Sequence, residues 1–218
     1  ITARRLLEDG REQVTVKTRD MGEYLGKHKY DFYRINEENE VGIVRGLAWT
    51  SMGGDTLQIE VNLMAGKGKL ELTGSLGDVM KESARIGISY IRSVGEEYGL
   101  DEEFFRSHDV HVHIPEGAVP KDGPSAGITM ATAMLSAMTG RKARAEVAMT
   151  GEITLRGRVL PVGGLKEKLL AAARAGVKLV LVPEKNRPDV EELDQEITAG
   201  LTVRYVNRMP EVLDQALV

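Results

Sequence analysis

The sequence predicts an α/β (α+β) fold, and three observations lead to this class. Short runs rich in valine, isoleucine and leucine alternate with longer helical patterns along the chain. Glycine and proline separate many of these runs, with 24 glycines and 7 prolines in 218 residues. Apolar residues make up 42% of the chain and charged residues 28%, which is typical of a globular domain with its own core.

The first forty residues carry only short patterns of secondary structure. Brief helical or strand-like runs are predicted at 3–8, 14–16 and 21–25. Asp20 is suited to cap the last of these runs, and Gly26 is suited to close it. The charged, irregular segment 27–40 is interpreted as a linker. Since the sequence starts at Ile1 without an initiator methionine, we expect a cut inside a longer chain.

Seven strands are predicted in the main body, which begins near Val41. Each is a short run of aliphatic and β-branched residues bounded by turn residues. They are predicted at 41–50, 56–64, 69–73, 110–114, 145–150, 177–182 and 201–206. The glycine-containing run 51–55 is interpreted as the loop between the first two, and 157–164 as a hairpin arm that ends in a glycine turn.

Five helical patterns complete the main body. They are predicted at 75–98, 124–139, 165–175, 189–196 and 209–218. Ser75, with Asp78 three residues later, resembles a capping box at the start of the first. That helix is expected to turn inward Val79, Ile86, Tyr90, Ile91 and Val94. Pro124 suits the first position of the second helix, whose alanines and methionines predict a mostly buried element.

Composition excludes several classes of function. The net charge of −4 gives no bulk electrostatic case for binding nucleic acid. Because the chain has no cysteine, it contains neither disulfides nor cysteine metal sites, and a thiol nucleophile is impossible. No apolar run approaches the roughly 20 residues that span a bilayer, and no signal peptide is visible. A soluble protein of a reducing compartment is therefore expected.

The segment around Ser125 carries the clearest chemical signal. A Gly-Pro pair precedes this serine, which lies in the first turn of the Ala/Met-rich helix. Unpaired backbone N–H groups and the partial positive charge of a helix N-terminus can hold an oxyanion there. Serine is also common as a helix cap, and the local sequence by itself favours that structural role. Both interpretations stay open at this point.

A nucleophilic serine needs a base, and histidine is the usual one. The chain has four histidines, at 28, 108, 111 and 113. His111 and His113 share one face of a predicted strand shortly before Ser125, so either can serve as a base or as half of a zinc site. No further ligand motif completes a metal site, and two histidines bonded within the sheet are the structural alternative.

At this point the sequence resembles the proteolytic domain of Lon proteases. The segment Pro120-Lys121-Asp122-Gly123-Pro124-Ser125-Ala126-Gly127 is similar to that family's signature around the catalytic serine. Further similar blocks follow one another in order from about Val41 to the C-terminus, at 46–50 with 53–55, 66–70 with 73–74, 111–113 with 115–117, 149–157 and 160–168. Six such blocks in order make coincidence negligible.

The resemblance implies a serine endopeptidase with a Ser–Lys dyad and no catalytic histidine. By position, the nucleophile is Ser125 and the general base is Lys168, while the backbone N–H groups of Ser125 and Ala126 are expected to bind the oxyanion. The resemblance further implies supporting positions at Thr150, Asp122, Glu152 and Arg156. Among these, Thr150 is expected to lie near the lysine amine. It regards His111 and His113 as structural.

Lys168 can act as a base only when it is neutral. Since a free lysine has a pKa of about 10.4, work near neutral pH requires a fall of roughly 3 units, which desolvation can supply. We therefore expect a largely apolar site without a carboxylate paired to Lys168. Helical periodicity does not select this residue, because Lys166 and Lys168 both flank the apolar stripe and Lys166 is slightly nearer its centre. A snorkelling surface lysine is the alternative for either.

The resemblance also implies an organisation in modules. It assigns 1–26 to a remnant of an AAA+ small helical subdomain, 27–40 to a linker, and 41–218 to a proteolytic domain akin to the second domain of ribosomal protein S5. The chain lacks a G-x-x-x-x-G-K-[ST] phosphate loop, so no cofactor is expected here, and ATP and Mg are expected in a separate ATPase module of the parent protein.

The family further implies unfolded or misfolded proteins and peptides as substrates, homohexameric rings and a cytoplasmic location. Binding to membranes or to nucleic acid is not expected of this domain. Two rivals are a non-catalytic Lon-like scaffold domain and a Ser–Lys amidase that acts on small substrates. Trp49 is expected either to border the substrate groove together with 51–55 or to be part of the core.

Overall fold

The computed structural model describes residues 13, 15–26, 38–50, 53–115 and 117–218, and the chain divides into two compact units, 1–33 and 34–218. In the first unit, a 3₁₀ turn leads into helix α1 (Met21–Leu25), and Gly26 follows at a φ of +81°, as predicted. The carboxylate of Asp20 accepts the backbone N–H of Lys17 at 3.0 Å and does not cap the helix. The run predicted at 3–8 lies outside the described residues, and Thr15 and Val16 are in neither helix nor strand.

The second unit contains all seven predicted strands. In chain order its strands are β1 (Glu40–Val41), β2 (Ile43–Thr50), β3 (Gly53–Ala65), β4 (Leu70–Thr73), β5 (His108–His113), β6 (Lys142–Ala143), β7 (Val147–Met149), β8 (Glu152–Ile153), β9 (Val159–Leu160), β10 (Leu179–Pro183) and β11 (Thr202–Val206). Seven of them form one mixed sheet in the order β11-β10-β7-β2-β3-β5-β4, while β1 pairs with β6 and β8 with β9.

The direction of the strands divides the sheet into two halves. From β11 through β10 and β7 to β2 the neighbours are parallel, whereas β3 is antiparallel to both β2 and β5. β7 is short and pairs with β2 only at Arg45 and Gly46. The C-terminal part of β2, Leu47–Thr50, therefore extends beyond β7 at the level where the candidate site lies.

The helices of the second unit are α2 (Asp78–Val94), α3 (Glu102–Ser107), α4 (Gly127–Thr139), α5 (Leu165–Ala175), α6 (Arg187–Glu191), α7 (Gln195–Thr198) and α8 (Met209–Ala216). The patterns predicted at 124–139, 165–175 and 209–218 are thus helices. The helix predicted at 189–196 is instead two short ones, and the sequence pattern did not predict α3. Within the described residues, none of the helices is long and apolar enough to cross a membrane.

Two apolar clusters form the core on the two faces of the sheet. Successive residues of β10 alternate between them, with Val180 and Val182 in one cluster and Leu181 in the other. Because side chains on a strand point alternately to opposite faces, both faces of the sheet are covered here. Helices α2, α4 and α8 contribute to the larger cluster and α5 to the smaller one. The helix α4, predicted to be mostly buried, is central to the larger cluster.

Helix α2 starts differently from the prediction. Ser75 has a φ of +57°, and the helix begins at Asp78 with Gly77 as its N-cap, so the predicted capping box is not formed. The carboxylate of Asp122 accepts the backbone N–H of Met80 at 3.0 Å and supplies the missing cap from a distant loop. Val79, predicted to point inward, is 44% exposed, whereas Tyr90 and Ile91 are buried as predicted.

The connection between β2 and β3 is shorter than predicted, because β3 already begins at Gly53 and pairs back onto β2 as far as Thr50. Gly54 makes this hairpin compatible with helix α5. A side-chain carbon at Gly54 would overlap the carbonyl oxygen of Glu167. Glycine therefore permits the close approach that brings α5 against the hairpin.

Candidate active site

A cavity of about 700 Å³ opens where several connecting segments meet. Its walls come from the end of β2, from β3, from the loop before α4, from the segment between β9 and α5, and from the first turn of α5. Ser125 and Lys168, far apart in sequence, both line it, as do Trp49 and Asp122. The fold thus brings the predicted nucleophile and the predicted base to one concave site, which is the usual setting of an active site.

Ser125 lies in a 3₁₀ turn, Pro124–Ala126, that leads directly into α4. The preceding Gly123 has a φ of +118°, a conformation that side-chain-bearing residues rarely adopt, and Pro124 fixes the start of the turn. The serine side chain is half-buried at the cavity. The N–H groups of Ser125 and Ala126 belong to this first turn, where backbone donors lack partners within the helix.

Lys168 occupies the first turn of α5 and is only 2% exposed. Burial lowers the pKa of this amine from 10.5 to about 8, because the charged form loses its hydration. Within the described part of the chain, no salt bridge reaches the amine. Both features agree with what a lysine base requires. The neighbouring Lys166 is exposed, although periodicity put it slightly nearer the apolar stripe.

Thr150 connects the lysine to the serine turn. It follows β7, is fully buried, and is held by a hydrogen bond from its N–H to the carbonyl of Leu181 at 3.1 Å. Lys168 Nζ donates to Thr150 Oγ1 at 3.1 Å, and the threonine hydroxyl donates in turn to the carbonyl oxygen of Ser125 at 3.4 Å. Since Thr150 uses its proton on that carbonyl, the lone pair of a neutral lysine amine stays available for another proton.

The structure contains no direct hydrogen bond between Ser125 Oγ and Lys168 Nζ among those of the described residues. The two residues are linked through Thr150 and through the main chain, because Gly151 N–H donates to the Ser125 carbonyl at 2.8 Å. The Ser125 carbonyl therefore accepts two hydrogen bonds, one from the Thr150 hydroxyl and one from the Gly151 N–H, just after the end of β7. The serine turn is fixed relative to the strand that carries Thr150.

Of the remaining predicted positions, only Asp122 lines the cavity. Asp122 lines it, but its carboxylate bonds the N–H groups of Met80 and Gly123 and so ties the loop before Ser125 to α2. Glu152 starts β8 and Arg156 lies exposed in the following turn. Neither is among the residues that line the cavity.

His111 and His113, the two histidines of β5 that the sequence singled out, lie outside the cavity. His111 Nε2 and His113 Nδ1 both contact Thr73 Oγ1, at 2.9 and 2.7 Å, on the face of β4 and β5 that carries polar residues. They do not line the cavity with Ser125. The described residues contain no group of three or more histidine, aspartate or glutamate side chains arranged to hold a metal ion.

Two features of the site did not emerge from the sequence. Lys121 is a second buried lysine at the cavity, 8% exposed, and it donates to the carbonyl oxygens of Val119 and Gly74. Asn186 is 3% exposed and bonds the backbone of Val162 in the cavity wall. Both make long-range contacts, and a local pattern contains no signal for them. Trp49 is 61% exposed, which excludes the core interpretation of this residue.

Comparison with known proteins shows the family of this chain. The family model described as the Lon protease (S16) C-terminal proteolytic domain matches residues 15–218. The chain is 66% identical over 206 residues to a Lon protease of Lachnoclostridium phytofermentans, covering 94% of the chain and 26% of that protein. It is 52% identical over 216 residues to Lon protease 1 of Bacillus subtilis, covering 99% of the chain and 28% of that protein. A Lon protease of Clostridioides difficile is also 52% identical, over 217 residues, with 99% and 28% covered.

The chain thus spans about a quarter of the length of the curated relatives that it matches. The matched range 15–218 spans the positions of both Ser125 and Lys168. Because the family model covers nearly the whole sequence, the chain belongs to the family of Lon protease (S16) C-terminal proteolytic domains.

Proposed function

We propose that this chain is the proteolytic module of an ATP-dependent serine endopeptidase, in which Ser125 is the nucleophile and Lys168 the general base. The observation that carries the proposal is the buried Lys168 amine, which has a lowered pKa and shares a cavity with Ser125. With a pKa of about 8, about a quarter of the amine is neutral at pH 7.5, against about one in a thousand for an ordinary lysine. Burial thus raises the concentration of the active base more than a hundredfold.

The reaction follows from the roles of these groups. The neutral Lys168 amine takes the proton of Ser125 as Oγ attacks the carbonyl carbon of the substrate peptide. The backbone N–H groups of Ser125 and Ala126 stabilise the resulting oxyanion. The lysine then gives its proton to the leaving amine as the C–N bond breaks, which leaves an acyl-enzyme. Water releases the acyl group by the same sequence, with Lys168 again as the base.

Thr150 has a positioning role in this scheme. Its hydroxyl accepts from Lys168 Nζ and donates to the Ser125 carbonyl, so the amine is oriented without being recharged. A carboxylate in the same position would stabilise the ammonium form and remove the base. A small rotation of the serine or lysine side chain within the cavity completes the dyad when a substrate binds, since catalytic hydrogen bonds often tighten only in the complex.

The family membership supports a wider proposal for the parent protein. We propose that it degrades unfolded or misfolded proteins and peptides in the cytoplasm, as a homohexamer, with ATP and Mg bound by a separate ATPase module. In this scheme Asp122, Glu152 and Arg156 support the site without joining the chemistry, and Asp122 does so through α2.

A fluorogenic peptide assay on this chain tests the dyad. Ser125→Ala and Lys168→Ala should each abolish cleavage while circular dichroism stays unchanged, and the exposed Lys166→Ala is the matched control, expected to cleave normally. Loss of activity in Lys166→Ala with full activity in Lys168→Ala would reassign the base. A folded wild-type chain that cleaves no peptide of any length favours a non-catalytic scaffold. Turnover independent of peptide length favours a small-molecule amidase.

A further inference from the structure

The wall of the cavity beside Lys168 depends on a residue far along the chain. The segment Pro161–Gly164 lines the cavity and runs directly into α5, which carries Lys168 in its first turn. The side-chain amide of Asn186 bonds this segment at two points. Its oxygen accepts the Val162 N–H at 2.9 Å, and its Nδ2 donates to the Val162 carbonyl at 2.9 Å.

Apart from Asn186, the segment is held by the packing of Val162 against the smaller apolar cluster and by the close approach of Gly164 to Trp49. Gly163 and Gly164 lack side chains, and Gly164 caps α5 at a φ of +71° without any side-chain hydrogen bond to the helix. Lys168 is tied to this turn, since its backbone N–H donates to the Gly164 carbonyl at 3.0 Å. Movement of the segment therefore moves the start of α5 and the lysine with it. Because glycine has the greatest backbone freedom of any residue, hydrogen bonds from outside the segment restrain the start of α5 most effectively here.

The clamp, meaning the side-chain amide of Asn186 with its two hydrogen bonds to Val162, is itself held in place by its surroundings. Asn186 is buried and follows β10 by one 3₁₀ turn, Glu184–Asn186. Its Nδ2 also donates to Asp189 at 2.6 Å. Because a carboxylate only accepts, this contact fixes which end of the amide faces Val162 N–H. The carbonyl of Leu181 in β10 also accepts the N–H of Thr150. The same strand therefore positions both Asn186 and Thr150, the hydrogen-bond partner of the Lys168 amine.

We propose that Asn186 is a positioning residue for the proposed reaction, whose two-point hydrogen bonding to Val162 holds the Pro161–Gly164 wall closed and keeps the Lys168 amine dry. This inference rests on the proposed function for its catalytic meaning, while the clamp itself is a property of the fold. Loss of both hydrogen bonds leaves the Val162 backbone polar groups unpaired in a partly buried place. They are then satisfied by water, which enters beside the lysine.

The consequence is a change in the lysine before any change in the overall fold. Water beside Lys168 restores part of the hydration of the ammonium, so its pKa rises from about 8 toward that of a free lysine. If the pKa rises by about one unit, the neutral fraction at pH 7.5 falls about eightfold. We expect kcat to fall by the same factor. A residue that is only structural would lower the free energy of unfolding without moving the titration of Lys168.

Asn186→Leu is the decisive variant, because leucine keeps the volume and removes both hydrogen bonds. Asn207→Leu is the matched control at an exposed asparagine. The readout is the side-chain NMR titration of Lys168, assigned by its absence in Lys168→Arg, together with kcat for a fluorogenic peptide. We expect the titration midpoint to rise by about one unit in Asn186→Leu and kcat to fall about eightfold, with Asn207→Leu unchanged in both.

A second variant keeps the test open if Asn186→Leu does not fold. The double exchange Asn186→Asp with Asp189→Asn swaps the amide and the carboxylate across their contact and retains an acceptor for the Val162 N–H. It should fold and give an intermediate titration midpoint. A folded Asn186→Leu, or a folded exchange variant, with the wild-type midpoint overturns the proposal. If the midpoint moves but the wild-type chain cleaves nothing, the clamp stands and the proposed function fails.

Discussion

Lys168→Met should stabilise the fold at neutral pH while it abolishes activity. The pKa of Lys168 falls from 10.5 in the unfolded chain to about 8 in the fold, because the ammonium is desolvated. Each pKa unit is worth about 1.4 kcal/mol, so burying this lysine costs about 3 kcal/mol whenever the unfolded chain carries the proton. Methionine has a similar length and no charge to desolvate, and it removes this cost.

The free energy of unfolding should depend on pH in a definite direction. Between pH 8 and 10.5 the unfolded chain binds a proton at this lysine that the folded chain has released, so the free energy of unfolding rises with pH in this window. Below about pH 8 the full penalty applies. The wild-type chain should therefore gain about 2 to 3 kcal/mol relative to Lys168→Met between pH 7 and pH 10. Loss of the bond to Thr150 offsets about 1 kcal/mol at every pH and leaves this difference unchanged.

Urea unfolding followed by circular dichroism, repeated across this pH range, measures the effect. Subtracting the two curves removes every other group that titrates, since all others are common to both chains. The exposed Lys166→Met serves as the control and should run parallel to the wild type. Parallel curves for the wild type and Lys168→Met would refute the argument, because they would mean that the buried amine keeps its ordinary affinity for a proton.

Three further outcomes follow from the site. Thr150→Val keeps the shape of the buried side chain but removes the hydroxyl that orients Lys168, so kcat for a fluorogenic peptide should fall about 10- to 100-fold with little change in KM. In the wild-type chain, kcat/KM should rise with pH and level off above about pH 8, because the proposed reaction uses the neutral form of Lys168; a rate that is flat from pH 6 to 10 would contradict this. Gly54→Ala should cost about 1–3 kcal/mol in urea unfolding and lower activity, since a methyl group there overlaps the start of α5, whereas Gly117→Ala, with open space around it, should behave as the wild type.

Local patterns predicted the sheet and failed where a distant residue completes an element. The run 177–182 reads as a buried strand from its aliphatic residues, and β10 occupies nearly that span. Ser75 matched a local capping motif, yet the acceptor for the first turn of α2 is Asp122, which lies 42 residues after its donor Met80. Once the helix begins at Asp78 with this distant cap, Val79 falls on the exposed side. Sequence spacing carries no information about such a partner.

The same limit governs the candidate site. Helical periodicity ranks residues by their angle around one helix, and on that measure Lys166 lay slightly closer to the apolar stripe than Lys168. Burial depends on what packs against the first turn of α5, and there the hairpin at Gly54 and the buried Thr150 enclose Lys168 and leave Lys166 in solvent. The resemblance selected Lys168, since it compares motifs along the whole domain and not the angles of residues around one helix. For Asn186, which acts through a backbone segment 24 residues earlier, neither periodicity nor a motif gave any signal.

A buried lysine costs the fold stability at neutral pH, so its surroundings must be rigid enough to prevent the amine from swinging out to water. Thr150 contacts the amine, Gly54 lets the hairpin pack against the start of α5, and Asn186 bonds Val162 in the cavity wall. Two of these three residues are attached to β10, a strand covered on both faces. Thr150 bonds the Leu181 carbonyl of that strand, and Asn186 lies in the turn that follows it. The central sheet, and not only the loops that line the cavity, therefore keeps the Lys168 amine buried.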